Sequence, residues 1–247
     1  MRIISWNCNM GYASKQAELL ALQPDVALLQ ECSEKHLKAS GAPFSHWIGS
    51  NLHKGFGVLG FGNHIYTLSS LYTPAYPWFL PLHIDDERLT ILGVWAHIKE
   101  KQERYVRVTH QAIDYYQPLL TAERSVVMGD FNSNSIWDAS FRGRSHTDLV
   151  ARLQRLHLHS VYHAQTHEAQ GKETVSTFYL YRHRDKGYHL DYAFVSHCLL
   201  AHTRLTIPEE GWWFTRSDHI PLILDIVCGP QETLFSATED QGSMYVT

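Results

Sequence analysis

Apolar residues run in short unbroken blocks along this chain, and most blocks stop at a glycine or a polar residue. Ile3-Ile4-Ser5-Trp6-Asn7 predicts a first buried strand with Asn7 at its C-terminal end. Val26-Ala27-Leu28-Leu29 predicts a second, which ends at Gln30-Glu31. Between them, helical spacing over 13–22 places Ala17, Leu20 and Ala21 on one side, and Pro24 closes the helix. Ser33 is placed to cap a short helix that runs to Ser40 and is stopped by Gly41 and Pro43. Short strands are predicted over 44–49, 56–61 and 65–71. The stretch 72–82 carries three prolines and four aromatics and reads as a loop. A strong strand over 89–98 is interrupted near its end by Ala96-His97. The longest helix spans 103–120, with Tyr105, Val108, Ala112, Ile113 and Tyr116 along one side. Beyond it come a polar loop over 132–147, a helix over 148–156, and strands over 178–181, 190–195 and 220–226. Helices and strands interleave without strict alternation, which predicts mixed sheets covered by helices.

The most informative block is Val126-Val127-Met128-Gly129-Asp130-Phe131-Asn132. Alternate residues of an extended chain point the same way. Asp130 and Asn132 are therefore expected to emerge together at the strand end, with Phe131 turned back into the protein. Gly129 lets the backbone turn closely there. A carboxylate can take a proton or hold a cation, and a carboxamide can donate to a phosphate oxygen without adding negative charge. Taken alone, Gly-Asp-Phe-Asn is equally well read as an ordinary turn.

Composition narrows the class. A chain of 247 residues, 44% hydrophobic and with no linker-like stretch, suits one large domain over 1–228 with a polar tail over 229–247. The net charge of −4 argues against a general binder of long duplex. Cys8, Cys32, Cys198 and Cys228 form no close pair, which predicts reduced thiols and a cytoplasmic setting. The opening residues lack the apolar core of a signal peptide, and no apolar run is long enough to span a bilayer. Gly55-Phe56-Gly57-Val58-Leu59-Gly60 matches a dinucleotide-binding pattern in form only, because a turn follows it where that motif needs a helix. Its glycines read as points of close approach within a strand. Asp85-Asp86-Glu87 reads as a solvated turn, and the histidines near 157–163 as polar surface rather than a zinc site.

Polar residues recur at the C-terminal ends of the apolar strands: Asn7, Glu31, His97, Asp130 with Asn132, and Asp191. Ser217-Asp218-His219 comes just before the last strand. Each has a structural reading as a turn or satisfied polar residue, but strand ends in α/β sheets are where sites are assembled. Trp6-Asn7, Gln30-Glu31, Gly129-Asp130-Phe131-Asn132, Asp191-Tyr192 and Ser217-Asp218-His219 resemble, in order and spacing, the motif series of the endonuclease/exonuclease/phosphatase superfamily. The resemblance runs from Ile3 to Ile226. It implies a four-layer α/β sandwich, two mixed β-sheets packed face to face with helices on both outer sides, and metal-dependent hydrolysis of phosphoesters. It assigns Glu31, with Asn7 and Asp218 close by, to a divalent cation, Mg²⁺ or Mn²⁺. Asp130 would orient or deprotonate the attacking water, and Asn132 would hold a phosphate oxygen. Asp191 would orient His219, and His97 aligns with a second phosphate-binding histidine. Either His219 or Asp130 is the proton acceptor. Thr177 looks like a small hydroxyl residue that the family keeps near the Asp191 strand, in a supporting, substrate-side role.

The match also has departures. No tyrosine-proline-asparagine turn follows the His97 strand, which argues against cleavage at abasic sites, and the cysteine-aspartate-arginine run of inositol 5-phosphatases is missing. Arg142 and Arg144 after the Asp130 loop, and Arg182, His183, Arg184 and Lys186 before Asp191, favour a nucleic-acid substrate, DNA ahead of RNA. Trp212, Trp213 and Phe214 would stack a base or wedge into a groove, or else pack on a sheet edge. The leading expectation is a phosphodiesterase acting on a small, single-stranded or strand-end nucleic acid. The alternatives are hydrolysis of a small phosphoester or lipid headgroup, and a non-catalytic binding module.

Overall fold

Strands that read as unbroken apolar runs are covered on both faces. The computed structural model describes residues 1–98, 104–140 and 143–227. In chain order the strands are β1 (Arg2–Asn7), β2 (Val26–Cys32), β3 (Phe44–Asn51), β4 (Lys54–Gly60), β5 (Tyr66–Leu68), β6 (Phe79–Ile84) and β7 (Leu89–Trp95). They continue with β8 (Ser125–Asp130), β9 (Leu158–Ser160), β10 (Phe178–Tyr179), β11 (Gly187–Tyr188), β12 (Asp191–Ser196), β13 (Thr203–Thr206) and β14 (Leu222–Ile226). The helices are α1 (Gln16–Ala21), α2 (Glu34–Lys38), α3 (Tyr105–Tyr115), α4 (Gln117–Leu120), α5 (His146–Arg155), α6 (Val161–Thr166), α7 (His197–Leu200) and α8 (Gly211–Arg216).

One six-stranded sheet has the order β13-β14-β1-β2-β4-β3 and the other β5-β6-β7-β8-β12-β9. Each is mixed: β1 pairs parallel with β2, and β7 with β8, while the other pairings are antiparallel. Alternation sorts side chains between two faces. Ile3, Val26, Leu28, Phe56 and Val58 enter the same buried cluster as Leu82, Ile91, Leu92, Val127 and Phe194 of the other sheet. Ile4, Trp6, Ala27, Leu29 and Leu59 turn to the outer face, against Leu19 of α1 and Leu37 of α2. This is the four-layer sandwich expected from the resemblance. The glycines of β4 behave as expected too: a Cβ at Gly55 would run into Trp47, at Gly57 into Leu37, and at Gly60 into Tyr66.

Three expectations change. The proline-rich stretch over 72–82 contains the start of β6, with Pro81 inside it. The Pro81 carbonyl accepts from the Ser69 amide on the β5 side, so the missing N–H faces the edge where β5 ends and costs no ladder bond. The long helix breaks at Tyr116 and restarts as α4, because Pro118 has no amide to donate. The strand expected over 178–181 stops at Tyr179, since Tyr181 and Arg182 turn the chain with left-handed φ values of 54° and 56°. The tail over 229–247, Cys228, Lys99, Glu100 and Arg142 lie outside the described residues.

Candidate active site

Opposite strand directions bring distant residues to one edge of the sandwich. Parallel pairing sets Asn7 beside Gln30 and Trp95 beside Asp130 at the C-terminal ends of β1, β2, β7 and β8. β12 runs antiparallel to β8, so Asp191 opens its strand rather than closing one and faces Asp130 directly. β14 runs antiparallel to β1, which delivers Ser217-Asp218-His219 to the same edge. Local backbone aims the groups. Glu31 sits at a β-bulge between Gln30 and Cys32 with φ of 58°, and Asn132 has φ of 47°. Left-handed backbone at a non-glycine residue costs free energy, and such residues concentrate at functional sites. Gly129 has φ of 151°, and a Cβ there would collide with the Val94 carbonyl of β7.

Asp130 is fully buried and central. Its Oδ2 accepts from Asn7 Nδ2 at 3.1 Å and from Asn132 Nδ2 at 3.0 Å, and its Oδ1 accepts the Asn132 amide at 2.9 Å. Asn132 Nδ2 also donates to the Ala96 carbonyl at 3.1 Å. Phe131 is buried against Tyr192 and Phe194, as the alternation predicts. His219 Nδ1 meets Asp191 Oδ2 at 2.9 Å, and His219 Nε2 lies 3.9 Å from Asp130 Oδ2. That gap is too long for a hydrogen bond, and a reacting oxygen at the site can approach both atoms. Ser217 Oγ donates to the Asn7 carbonyl at 2.7 Å and accepts the His219 amide at 3.1 Å, tying the two motifs together. Trp6 Nε1 fixes the His219 carbonyl at 3.0 Å.

Burial pushes the Asp130 carboxyl up to about 7; the His219 charge opposes the rise and Asp191 adds to it. Burial works against a charge on His219, but Asp191 and Asp130 outweigh it and lift the imidazole to about 10. Asp130, Asp191 and His219 bring their donor atoms within 4.8 Å of one another. The Asp191–His219 hydrogen bond beside a buried carboxyl suits this trio to handling a proton.

The candidate metal ligands lie beside it. Glu31 keeps a carboxylate that solvent partly reaches, its side chain 19% exposed, Asp218 is half-buried next to His219, and Asn7 carries an amide oxygen at the same edge. Oxygen donors of this kind fit a hard divalent cation. His97 follows β7 half-buried, stacked on Trp95 at 4.6 Å. Burial, and then the nearby Lys54 ammonium, lower its basicity despite Glu31.

A model of the Endonuclease/Exonuclease/phosphatase family matches residues 4–219, a span holding every residue of this constellation. The chain belongs to that family. No curated protein matches the sequence. Among solved structures, a 3′ phosphatase from Neisseria bound to a product DNA hairpin superposes with a TM-score of 0.70 at 18% identity, over 92% of this chain and 100% of its own. A 3′-5′ exonuclease from Neisseria meningitidis gives 0.69 at 18% identity, over 92% and 99%. An AP endonuclease from Archaeoglobus fulgidus gives 0.70 at 15% identity, over the same shares. At these identities the superpositions establish the fold.

Within this endonuclease/exonuclease/phosphatase frame, several expected contacts fall elsewhere. Thr177 is fully buried, and its Oγ1 accepts the amides of Leu190 and Asp191 at 2.9 and 3.0 Å. It therefore holds Asp191 in place. Trp212 and Trp213 are half-buried on the outer face of the first sheet, with Trp213 edge-on to Trp6 at 5.1 Å. Arg144 is exposed before α5, 3.9 Å from Asp114 of α3. Lys54 went unnoticed in the sequence: its Nζ sits 3.0 Å from Glu31 Oε1. It opens β4, outside the motif series that resembles the family, so only strand pairing reveals it.

Proposed function

We propose that this chain is a divalent-metal-dependent phosphodiesterase that hydrolyses nucleic-acid phosphodiesters, DNA in preference to RNA. The observation that carries the reading is the Asp191–His219 pair set against buried Asp130, inside the frame of a phosphoester-hydrolysing family. A metal held by Glu31, Asn7 and Asp218, Mg²⁺ or Mn²⁺ in this reading, would neutralise charge on the phosphate and lower the barrier to attack. Asp130, held by two asparagine amides, orients the attacking water in line with the leaving oxygen and draws on its proton. His219, kept charged by Asp191, stabilises the extra negative charge and supplies a proton to the leaving oxygen. A neutral His97 hydrogen-bonds the phosphate, while Asn132, whose two amide hydrogens go to Asp130 and the Ala96 carbonyl, sets the Asp130 carboxylate.

The DNA hairpin held by the Neisseria 3′ phosphatase, and the likeness to a 3′-5′ exonuclease and an AP endonuclease, support a nucleic-acid substrate. The exposed Tyr181 and Arg182, on the loop that leads from the strand bridged to His219, support it as well. The free thiols of Cys8, Cys32 and Cys198 support a cytoplasmic setting. Among the described residues no helix is long and apolar enough to cross a membrane.

The test is turnover of a panel holding single- and double-stranded DNA, RNA, an abasic duplex, a phosphotyrosyl-DNA mimic and an inositol phosphate. Each is assayed with EDTA, Mg²⁺ or Mn²⁺. Metal-dependent cleavage of a nucleic acid, lost in His219→Ala, is the expected result. Turnover of the inositol phosphate alone would keep the site and replace the substrate.

A further inference from the structure

The catalytic edge gathers four carboxylates, Glu31, Asp130, Asp191 and Asp218, and a phosphodiester brings a further negative charge. His219 is committed to Asp191, and His97 is held neutral by burial and by its cationic neighbour. Arg216, exposed two residues before Asp218, lies over the Trp212 ring at 5.3 Å on the outer face of the first sheet, and three other cations near this edge are engaged. Lys15 is buried, with its ammonium on the carbonyls of Cys8 and Met10. Arg182 donates to the carbonyls of Thr215 and Arg216. Arg184 pairs with Glu210. Lys54 differs. Its side chain is 36% exposed and its ammonium rests on Glu31, 5.9 Å from the centre of the Trp95 ring that stacks on His97.

We infer that Lys54 is a substrate-binding residue that exchanges partners, neutralising Glu31 in the resting site and gripping the substrate phosphate once a divalent cation has claimed that carboxylate. The inference rests on the proposed phosphoester chemistry and deepens it. Solvent reaches the lysine end of this ion pair and screens it, so a divalent cation on Glu31 can displace the ammonium. Its flexible four-carbon stem lets the charge swing from one partner to the other. The neighbouring Trp95 wall also carries His97, so the cation that this wall offers a phosphate is Lys54 and not the histidine.

Two titrations test this without turnover. Mn²⁺ binding is followed by electron paramagnetic resonance of the free ion, and inorganic phosphate binding by calorimetry at saturating Mg²⁺. Lys54→Ala should bind Mn²⁺ about threefold more tightly, because a competing positive charge is gone. It should bind phosphate about tenfold more weakly, the loss of one charge-assisted hydrogen bond. Lys54→Arg should stay near wild type in both. A purely structural lysine would weaken both ligands together, so opposite signs are the signature. Mn²⁺ binding that is unchanged or weaker in Lys54→Ala, or phosphate binding that does not fall, overturns the inference. Wild-type protein silent on every phosphoester overturns the proposed function instead, and the two titrations still decide for or against Lys54.

Discussion

At the scale of single residues, the site works by setting neighbouring pKa values apart. Asp191 lies 2.9 Å from His219, and burial alone would have discharged the imidazole. Asp191→Asn should therefore lower the His219 pKa by several units, read from the imidazole resonances in an NMR titration. Turnover should fall about a thousandfold in step. A His219 pKa that does not move would remove Asp191 from this role. Away from the edge, Glu173 is held at about 2: burial disfavours its charge, but hydrogen bonds from His163, the Gly171 amide and Asn134 prevail. Its folded value lies below the ordinary 4.5, so the stability it contributes is present above about pH 4.5 and is lost as pH falls towards 2. Glu173→Gln should flatten the acid limb of melting temperature against pH over that window. Asp130 and Asn132 were legible at this scale because alternation along a strand is local. Thr177 was legible as a residue near the Asp191 strand but not in its contacts, because the amides it accepts sit thirteen and fourteen positions on.

At the scale of elements, β8 and α5 show how short sequence signals become placement. Gly129 allows β8 to lie against Val94 and still present Asp130. Gly129→Ala should lower stability by several kcal/mol, as expected for overpacking together with strained φ, and remove turnover even where the protein stays folded. Urea denaturation and single-turnover assays separate the two losses. The capping box of α5, with Ser145 Oγ accepting the Asp148 amide and Asp148 returning to the Ser145 amide, makes a contrasting case. Ser145→Ala should cost about 1 kcal/mol of stability and leave kcat unchanged. Patterns of period two and the helix stops were readable here. β6 was not, since proline content outweighed an apolar stretch whose one missing donor falls just past the end of β5.

At the scale of the whole molecule, the site exists because two sheets face each other with their strand ends aligned. Asn7 of one sheet and Asp130 of the other meet at 3.1 Å, and Gln30 Nε2 reaches the Val94 carbonyl at 3.1 Å to lock the sheets in register. Glu31 and Asp218, two of the three proposed metal ligands, lie at the rim of this frame, so EDTA should abolish turnover while leaving the melting transition cooperative. Calorimetry with and without chelator checks this. A net charge of −4 limits attraction for long duplex, so substrate affinity should fall with salt according to only a few phosphate contacts.

The sequence by itself determined the apolar strands, their faces, and the residue types at their ends, because these follow from local periodicity and turn chemistry. The motif order also named the family that the comparison then established. Only the tertiary structure decided which ends meet. The antiparallel return of β12 and β14 brings Asp191 and His219 to Asp130, the bulge turns Glu31 outward, and β4 sets Lys54 against it. These depend on strand order and direction across sequence separations of up to more than two hundred residues, and no local pattern encodes them.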